Sequence, residues 1–252
     1  SGSIVTGVKY YEGFNEYFDT TKINYTSVGV TYVPGILTTT GATQSLGLAA
    51  KFSGAGYIET DIIGEYDRDN DYSVSLFISA SNAGSDNMLV LAKANSSAVT
   101  RYPFKLELSG SDQLIASVAG ASNYVTQITS SAVVTDWTHV VCQKTGSLFE
   151  LYINGSIHAS ASSNLLNNSI NNSFTQSAYI NNTDLLKIGG YDSNSSNLTG
   201  VIDEVRIFNQ ANNISSISAL NDREEATLKC LQTNYVGNIF EPQGLAVISS
   251  LD

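Results

Sequence analysis

The chain has 252 residues, of which only 14 % are charged, and 12 Lys and Arg against 23 Asp and Glu give a formal net charge of -11. An acidic surface repels phosphate groups, so we expect no nucleic-acid partner and no binding to anionic lipids. No apolar run reaches the about 20 residues that span a bilayer, so we also expect no membrane insertion.

The residue types favour β-structure. The chain contains 14 Tyr, 9 Phe and 20 Gly, together with many Val, Ile and Thr, and aromatic and β-branched side chains suit a pleated sheet. Sandwiches and barrels often run to 200–250 residues as a single domain, so the length does not require two domains. Cys142 and Cys230 allow at most one disulfide, and Cys142 lies in a strand-like run that favours a buried free thiol. Whether the two cysteines are bridged stays open at this point.

The first predicted strands lie in the N-terminal third. Residues 1–45 are expected to hold a strand over Ser3–Tyr11 and an excursion over Thr20–Ser45, both joining the main domain. Next come two short strands, Ala49–Phe52 and Tyr57–Thr60, with a Gly-rich turn between them.

A regular series of strands follows at a spacing of roughly ten residues, as a sandwich requires. In the first of them, Tyr72–Ser79, apolar Tyr72, Val74, Leu76 and Ile78 alternate with Ser73, Ser75, Phe77 and Ser79. Further strands are predicted at Met88–Lys93, Phe104–Leu108, Gln113–Val118, Tyr124–Ile128, Trp137–Lys144, Leu148–Ile153, Leu185–Ile188 and Val201–Phe208.

The C-terminal part changes character. Apolar residues at helical spacing predict one or two short helices within Ile214–Leu231, and Tyr235–Ile248 reads as a β-hairpin with a Pro-Gln-Gly turn. We therefore divide the chain into residues 1–45, a main domain at 46–222 and an extension at 223–252.

The order of several short motifs resembles the laminin-G-like subgroup of the concanavalin A-like lectin/glucanase superfamily. These motifs are Ala50–Gly54, Asp71–Val74, Trp137–Val141, Leu148–Gly155, Lys187–Gly190 and Gly200–Phe208. The resemblance covers about residues 46–222. It implies an all-β fold, a two-sheet antiparallel jelly-roll sandwich.

The residues do not offer the catalytic groups of the superfamily's glucanases. The nearest match to their acidic motif runs from Glu59 to Glu65, which would lie roughly 20 Å apart on an extended strand, whereas a retaining pair needs about 5–5.5 Å. Asp203 and Glu204 are adjacent and point to opposite faces. With only His139 and His158 and no serine-hydrolase motif, we expect a non-enzymatic protein.

Calcium is the one cofactor that the resemblance implies. Many relatives of this fold hold a structural calcium ion with an acid near the last strand and oxygens from the N-terminal strand, which corresponds to Asp203 and Glu12 here. The alternation of Val201–Phe208 places Asp203 with Val201, Val205 and Ile207, and a buried acid needs a partner.

A polar loop supplies the candidate glycan-binding residues. Tyr191, Asp192, Asn194 and Asn197 combine an aromatic ring with amide and carboxylate groups in one loop that we expect to be exposed. The alternative is that this segment is simply a polar loop without a ligand.

The C-terminal segments Tyr235–Phe240 and Gly244–Ser250 resemble segments that follow laminin-G-like domains in tailed-bacteriophage virion proteins. We therefore expect a virion surface or tail structural protein, hence extracellular, that binds host glycans. Its expected partners are other virion proteins or copies of itself, and cell-surface glycans. The alternative is a secreted or cell-surface bacterial carbohydrate-binding module.

Overall fold

A computed structural model of the chain describes residues 8–12, 26–35, 48–60, 70–94, 102–119, 125–134, 136–162, 185–191, 196–215, 217–218, 221, 237–240 and 245–248. The strands among these residues are β1 (Val8–Glu12), β2 (Thr26–Pro34), β3 (Leu48–Thr60), β4 (Tyr72–Ala80), β5 (Met88–Lys93), β6 (Tyr102–Leu108), β7 (Gln113–Ala119), β8 (Val125–Val133), β9 (Thr138–Thr145), β10 (Leu148–Ile153), β11 (Ser156–Ser162), β12 (Leu186–Ile188), β13 (Thr199–Phe208), β14 (Gly237–Phe240) and β15 (Leu245–Ile248).

The strands form two layers that meet at β3. The pairing order is β11-β10-β9-β4-β13-β3-β12-β5-β6-β7-β8, with β1 added to β13 and β2 to β3. The first half of β3 pairs with β13 and its second half pairs with β12, both antiparallel. We call the strands from β11 to β13 the β4 sheet and those from β12 to β8 the β6 sheet. The predicted two-sheet antiparallel sandwich is confirmed.

The core lies between the two sheets and follows the period of two that a strand imposes on its side chains. Tyr72, Val74, Leu76 and Ile78 all point into it, as their alternation predicts. From the facing sheet come side chains such as Phe104, which lies 5.6 Å from Tyr72 between ring centroids. The intervening residues of each strand consequently lie on the outer faces.

The turn predicted between Ala49–Phe52 and Tyr57–Thr60 is wrong, because β3 runs through it as one strand. Strand β2 pairs with β3 on both sides of the glycines, with a register shift between Val28 and Val30. Gly54 has a φ of 86° and absorbs the bend, a conformation that residues with a Cβ rarely adopt.

Two tight turns shape the hairpins of the β4 sheet. The predicted hairpin between β9 and β10 is confirmed, with Gly146 at a φ of 55°. After β10, Asn154 and Gly155 both have positive φ, the geometry that suits a two-residue hairpin turn. They lead into β11, a strand that the sequence pattern does not indicate, because its alternating residues are small or polar.

The segment after β13 covers part of the outer face of the β4 sheet. The Asn212 backbone N–H donates to Gln143 Oε1 at 2.9 Å, and its amide Nδ2 donates to Ser73 Oγ at 2.6 Å. Farther along, Ile217 packs with Val141 and Tyr152. Asn212 and Ile217 therefore cover the part of this face that carries Ser73, Gln143 and Val141.

The remaining C-terminal predictions agree with the residues that are described. Residues 214–215, 217–218 and 221 are helical, and β14 pairs with β15 as the predicted hairpin. Cys142 is a buried free thiol, and burial raises its pKa; Cys230 lies outside the described residues. The division into 1–45, 46–222 and 223–252 stays a prediction.

We expect Gly189→Ala to destabilise the fold by about 3 kcal/mol, because it combines backbone strain with overpacking. Gly189 has a φ of 75°, and a Cβ there would overlap the Phe52 ring. The matched control is Gly146→Ala, since Gly146 has a φ of 55° but no described atom within 4 Å of the added Cβ; it should cost about 1 kcal/mol. Urea unfolding measures both, and equal losses would show that the Phe52 contact is not restrictive.

Candidate functional site

The outer face of the β6 sheet carries a row of polar side chains that crosses the strands. We call it the transverse row: Glu59, Lys187, Ala92, Lys105, Ser117 and Gln127, each the Cα partner of the next on β3, β12, β5, β6, β7 and β8. Neighbouring positions on these strands are occupied by core residues, which places the row on the opposite, outer face.

The charges of this face are matched in pairs. Lys187 forms an ion pair with Glu59 on the neighbouring strand. Lys105 Nζ lies 2.9 Å from Glu107 Oε2, two residues farther along β6. Each partly buried lysine therefore has a carboxylate beside it, and the four side chains together carry no net charge.

An aromatic side chain borders the second ion pair. Lys105 Nζ lies 4.9 Å from the centroid of the Tyr102 ring, within the range of a cation–π contact. On the neighbouring strand, Ser117 Oγ donates a hydrogen bond to the Tyr102 hydroxyl at 3.3 Å. Tyr102 and Lys105 thus hold each other in place on the sheet.

The loop between β12 and β13 returns onto this face. Asn197 closes it with its amide: Oδ1 accepts from the Tyr191 N–H at 2.9 Å, and Nδ2 donates to the Tyr191 carbonyl at 3.1 Å. The Leu89 N–H donates to the Ser196 carbonyl at 2.8 Å. The Tyr191 ring then packs against Leu89, Ala92 and Tyr102, so the loop adjoins the transverse row.

The sequence predicts an exposed loop for the glycan-binding residues, but those that the structure describes are buried. Tyr191 and Asn197 are each only 5 % exposed, and the Asn197 amide binds main chain. Asp192 and Asn194 lie outside the described residues. The assignment of these four residues to a glycan site stays a prediction. Lys105 and Glu107 are additional candidates for this site. The alternation of charged and apolar residues in β6 could have indicated them.

The Tyr191 hydroxyl is buried and has no hydrogen-bond partner in the described part of the chain. Burial raises its pKa, and the nearby Glu107 and Tyr102 add to this shift. The phenol therefore keeps its proton and remains a hydrogen-bond donor beside the Lys105–Glu107 pair.

The predicted calcium ligand Asp203 lies at a β-bulge in β13. Asp203 pairs with Phe77 and Arg206 with Ser75, which leaves two residues of β13 opposite one of β4. Glu204 has a φ of 53° in this bulge. The expected alternation of Asp203 with Val205 and Ile207 is wrong, because the extra residue resets the period.

Asp203 is nevertheless buried, and its Oδ1 accepts a hydrogen bond from the Glu204 N–H at 2.8 Å. The Glu204 carboxylate forms a buried ion pair with Arg206. The backbone of Glu12, the second predicted ligand, lies opposite Val205 on the neighbouring strand β1. Asp203 thus fits as one oxygen ligand of an ion that needs six to eight.

Among the described residues, no group of three or more His, Cys, Asp or Glu side chains could hold a metal ion. A calcium ion at Asp203 would therefore require the Glu12 side chain or main-chain oxygens. The two-residue assignment stays a prediction.

His139 occupies the covered face of the β4 sheet. Its Nε2 lies 2.9 Å from Ser75 Oγ, its ring lies 4.7 Å from that of Phe77, and its Nδ1 has no partner among the side chains that the structure describes. Burial, reinforced by the positive charge of Arg206, lowers its pKa to about 3. Within the described part of the chain, no acid bonds to Nδ1 of this Ser–His pair to orient it as in a catalytic triad.

The carboxylates on the outer face of the β6 sheet are also poorly spaced for glycoside hydrolysis. Glu59 and Glu107 lie on β3 and β6, which β12 and β5 separate. Three strand spacings put them at least about 14 Å apart, beyond the about 5–9.5 Å that glycosidase pairs use. On the described strands of this face, the geometry suits hydrogen bonding to a ligand better than hydrolysis.

Comparison with known families decides the classification. The laminin G model (Laminin_G_3) of the concanavalin A-like lectin/glucanases superfamily matches residues 52–218, more than half of the chain. The chain belongs to this superfamily. Its laminin-G-like domain contains the transverse row, Tyr191 and Asp203. No curated protein sequence matches the chain.

Several solved structures share the fold. The binding domain of Paraclostridial Mosquitocidal Protein 1 is 15 % identical with a TM-score of 0.65, over 86 % of this chain and 52 % of that one. The botulinum neurotoxin serotype D binding domain is 14 % identical with a TM-score of 0.62, over 86 % and 52 %. This chain therefore spans about half the length of those two domains.

A third structure matches over nearly its whole length. Domain 4 of AbnA, an extracellular arabinanase from Geobacillus stearothermophilus solved with arabinotriose, is 16 % identical with a TM-score of 0.57, over 85 % of this chain and 98 % of that one. Identities this low show the fold alone. Within the described residues, no helix is both long and apolar enough to cross a membrane.

We expect His139 to make stability depend on pH between about 3 and its ordinary pKa of 6.5. The folded state keeps the ring neutral while the unfolded state binds a proton, so stability falls as the pH drops through this window, by about 1.4 kcal/mol per pH unit. Urea unfolding from pH 4 to 7 measures the slope. His139→Gln should reduce it by that amount, and equal slopes would contradict the assignment.

Proposed function

We propose that this laminin-G-like domain is a non-enzymatic glycan-binding protein. The observation that carries the proposal is the transverse row beside Tyr191, in which Glu59 and Lys105 are partly exposed, Gln127 is exposed and the ion pairs leave no net charge. Its ion-paired groups and hydroxyls can hydrogen-bond sugar hydroxyls, and its aromatic and aliphatic groups can pack against sugar C–H faces. Domain 4 of AbnA, which has the same fold, is described in complex with arabinotriose.

We place the predicted loop residues in this binding role. Tyr191 packs on the sheet face and its main chain is bound by the Asn197 amide, and Asp192 and Asn194 follow Tyr191 in sequence. The about 14 Å between Glu59 and Glu107, inferred from strand spacing, supports binding without hydrolysis.

We further propose that the protein works on the surface of a virion, as a surface or tail structural protein that attaches the particle to host glycans. The similarity of Tyr235–Phe240 and Gly244–Ser250 to segments of tailed-phage proteins supports this location, and the partners would be other virion proteins or copies of this chain. Matches to the binding domains of a mosquitocidal protein and of a botulinum neurotoxin agree with an extracellular role. Mass spectrometry of purified virions tests this part, since absence of the chain from them would contradict it.

The second candidate is a secreted or cell-surface bacterial carbohydrate-binding module. The match to domain 4 of an extracellular arabinanase favours it, because that domain is covered to 98 %. Both candidates share glycan binding and differ in where the protein is found. Detection in bacterial culture medium in the absence of phage particles would favour the module.

We expect the intact protein to bind at least one class of glycan on a glycan array, in calcium-containing buffer. If the proposed calcium ion supports the site, a duplicate array with EDTA should show weaker binding, because removing a bound ion destabilises the state that binds it. Failure to bind any glycan would refute the lectin role and leave a structural role.

We also propose one structural calcium ion at Asp203 with Glu12 as a second ligand. Calorimetry should detect about one ion per chain, and calcium should raise the melting temperature, as any ligand of the folded state does. Asp203→Asn should abolish both effects. The control Asp86→Asn, in an exposed loop, should leave them unchanged, and an absence of uptake by the unaltered protein would rule out the site.

A further inference from the structure

We propose that the outer edge of β2 is an interface at which a second copy of this chain adds its own β2 in antiparallel orientation, so that a sheet continues from one copy to the other. Glycan binding does not require this contact, so the inference goes beyond that part of the proposed function. It gives the proposed association between copies of this chain a defined surface and a defined register.

Strand β2 is accessible along its whole length. Among the described strands it pairs only with β3, on the edge of β3 opposite the one that β13 and β12 use. None of its nine residues is buried, and Val28 and Tyr32 are 44 % and 37 % exposed. A strand in this position can bond through its backbone N–H and C=O groups to a strand of another chain.

This edge lacks the charges that usually protect an exposed strand from such pairing. Proteins block free edges with Lys and other charged residues, with Pro or with bulges. No Asp, Glu, Lys or Arg occurs from residue 23 to residue 50, whereas β1, which pairs only with β13 among the described strands, carries Lys9 and Glu12. Each copy has a net charge of -11, so an uncharged edge lets two copies meet without bringing like charges into contact.

The other uncharged strands at the ends of the pairing order, β8 and β11, are less suitable. They lie against each other, and Ser131 Oγ and His158 Nδ1 are 3.0 Å apart between them. The exposed residues of β11 are serines and Ile157. Those of β2 include valine, threonine and tyrosine, the residue types that favour pairing in a sheet.

A bulge and a proline define the part of β2 that can pair. The register with β3 shifts between Val28 and Val30, and Gly29 between them has a φ of 63°. At the other end, Pro34 has no N–H to donate to a ladder. The regular stretch of the edge is therefore Val30–Val33.

This stretch is self-complementary around Thr31. Two antiparallel copies of a strand that a two-fold axis relates place residues of the same face opposite each other, because the axis is perpendicular to the sheet. With Thr31 opposite Thr31 of the second copy, Val30 of each copy lies opposite Tyr32 of the other. Threonine–threonine pairs and pairs of an aromatic with a β-branched residue stabilise antiparallel strands. The pattern therefore favours a second copy over a strand of unrelated sequence.

The test is sedimentation equilibrium of the full chain over a range of protein concentrations, at low and at high salt, without a glycan. Thr31→Lys places like charges opposite each other in the proposed dimer. Thr31→Cys places two thiols opposite each other, where the distance between Cα atoms of paired residues is one that a disulfide spans. Thr145 provides the matched controls, because it is exposed on β9, which pairs with neither β2 nor β3.

We expect the unaltered protein to dimerise, and to do so more strongly at high salt, because salt screens the repulsion between two acidic copies. Thr31→Lys should raise the Kd of the dimer about tenfold, and Thr145→Lys should leave it unchanged. With an added thiol oxidant, Thr31→Cys should form a covalent dimer in larger amount than the unaltered protein or Thr145→Cys. If a thermal melt shows that Thr31→Lys destabilises the fold, the crosslinking of Thr31→Cys decides the test.

Three outcomes would overturn the inference. An unaltered protein that stays monomeric at about 1 mM would show that the copies do not associate, and it would leave glycan binding untouched. A dimer that Thr31→Lys does not weaken and Thr31→Cys does not crosslink would place the contact on another surface. Equal crosslinking by Thr31→Cys and Thr145→Cys would show that the two copies have no preferred register at β2.

Discussion

The fold depends on the pairing of one long strand with partners from both layers. Strand β3 hydrogen-bonds to β13 along its first half and to β12 along its second half, while β2 follows its other edge. Its glycines lie where the strand passes from one sheet to the other and where the register with β2 shifts. Because β3 links β13 of the β4 sheet to β12 of the β6 sheet, the position of the transverse row depends on this strand.

The outer faces of the two sheets differ in what covers them and in how their polar groups are satisfied. Residues 209–218 satisfy the polar groups of Ser73 and Gln143 and cover Val141 and Tyr152, so the β4 sheet faces a third layer. On the β6 sheet, the charges of Lys105 and Glu107 neutralise each other, which lets the face be polar and only partly solvated. A ligand can compete with water there more readily than on a fully hydrated surface.

The surroundings of two candidate site residues could not be predicted from the sequence. The alternation of β13 misplaces Asp203, because a bulge at Glu204 inserts one residue and no pattern in the sequence marks it. The composition of the loop correctly suggests hydrogen bonding by Asn197, but its partner is the Tyr191 main chain and not solvent. In the first case a local φ value decides what the side chain faces, and in the second a main-chain partner in the same loop does.

The sequence by itself determined the fold class, most strands, the β9–β10 hairpin and the laminin-G-like family, because period-two alternation and turn residues are local properties. Tertiary structure alone decided that β3 is continuous, that β11 exists, and that Tyr191 lies beside Lys105 and Glu107. Those features arise from contacts between strands. The stability of each contact depends on how deeply the assembled sheet buries it, which the sequence of one strand does not show. The candidate site is consequently a property of the assembled sheet, while its residues are individually ordinary.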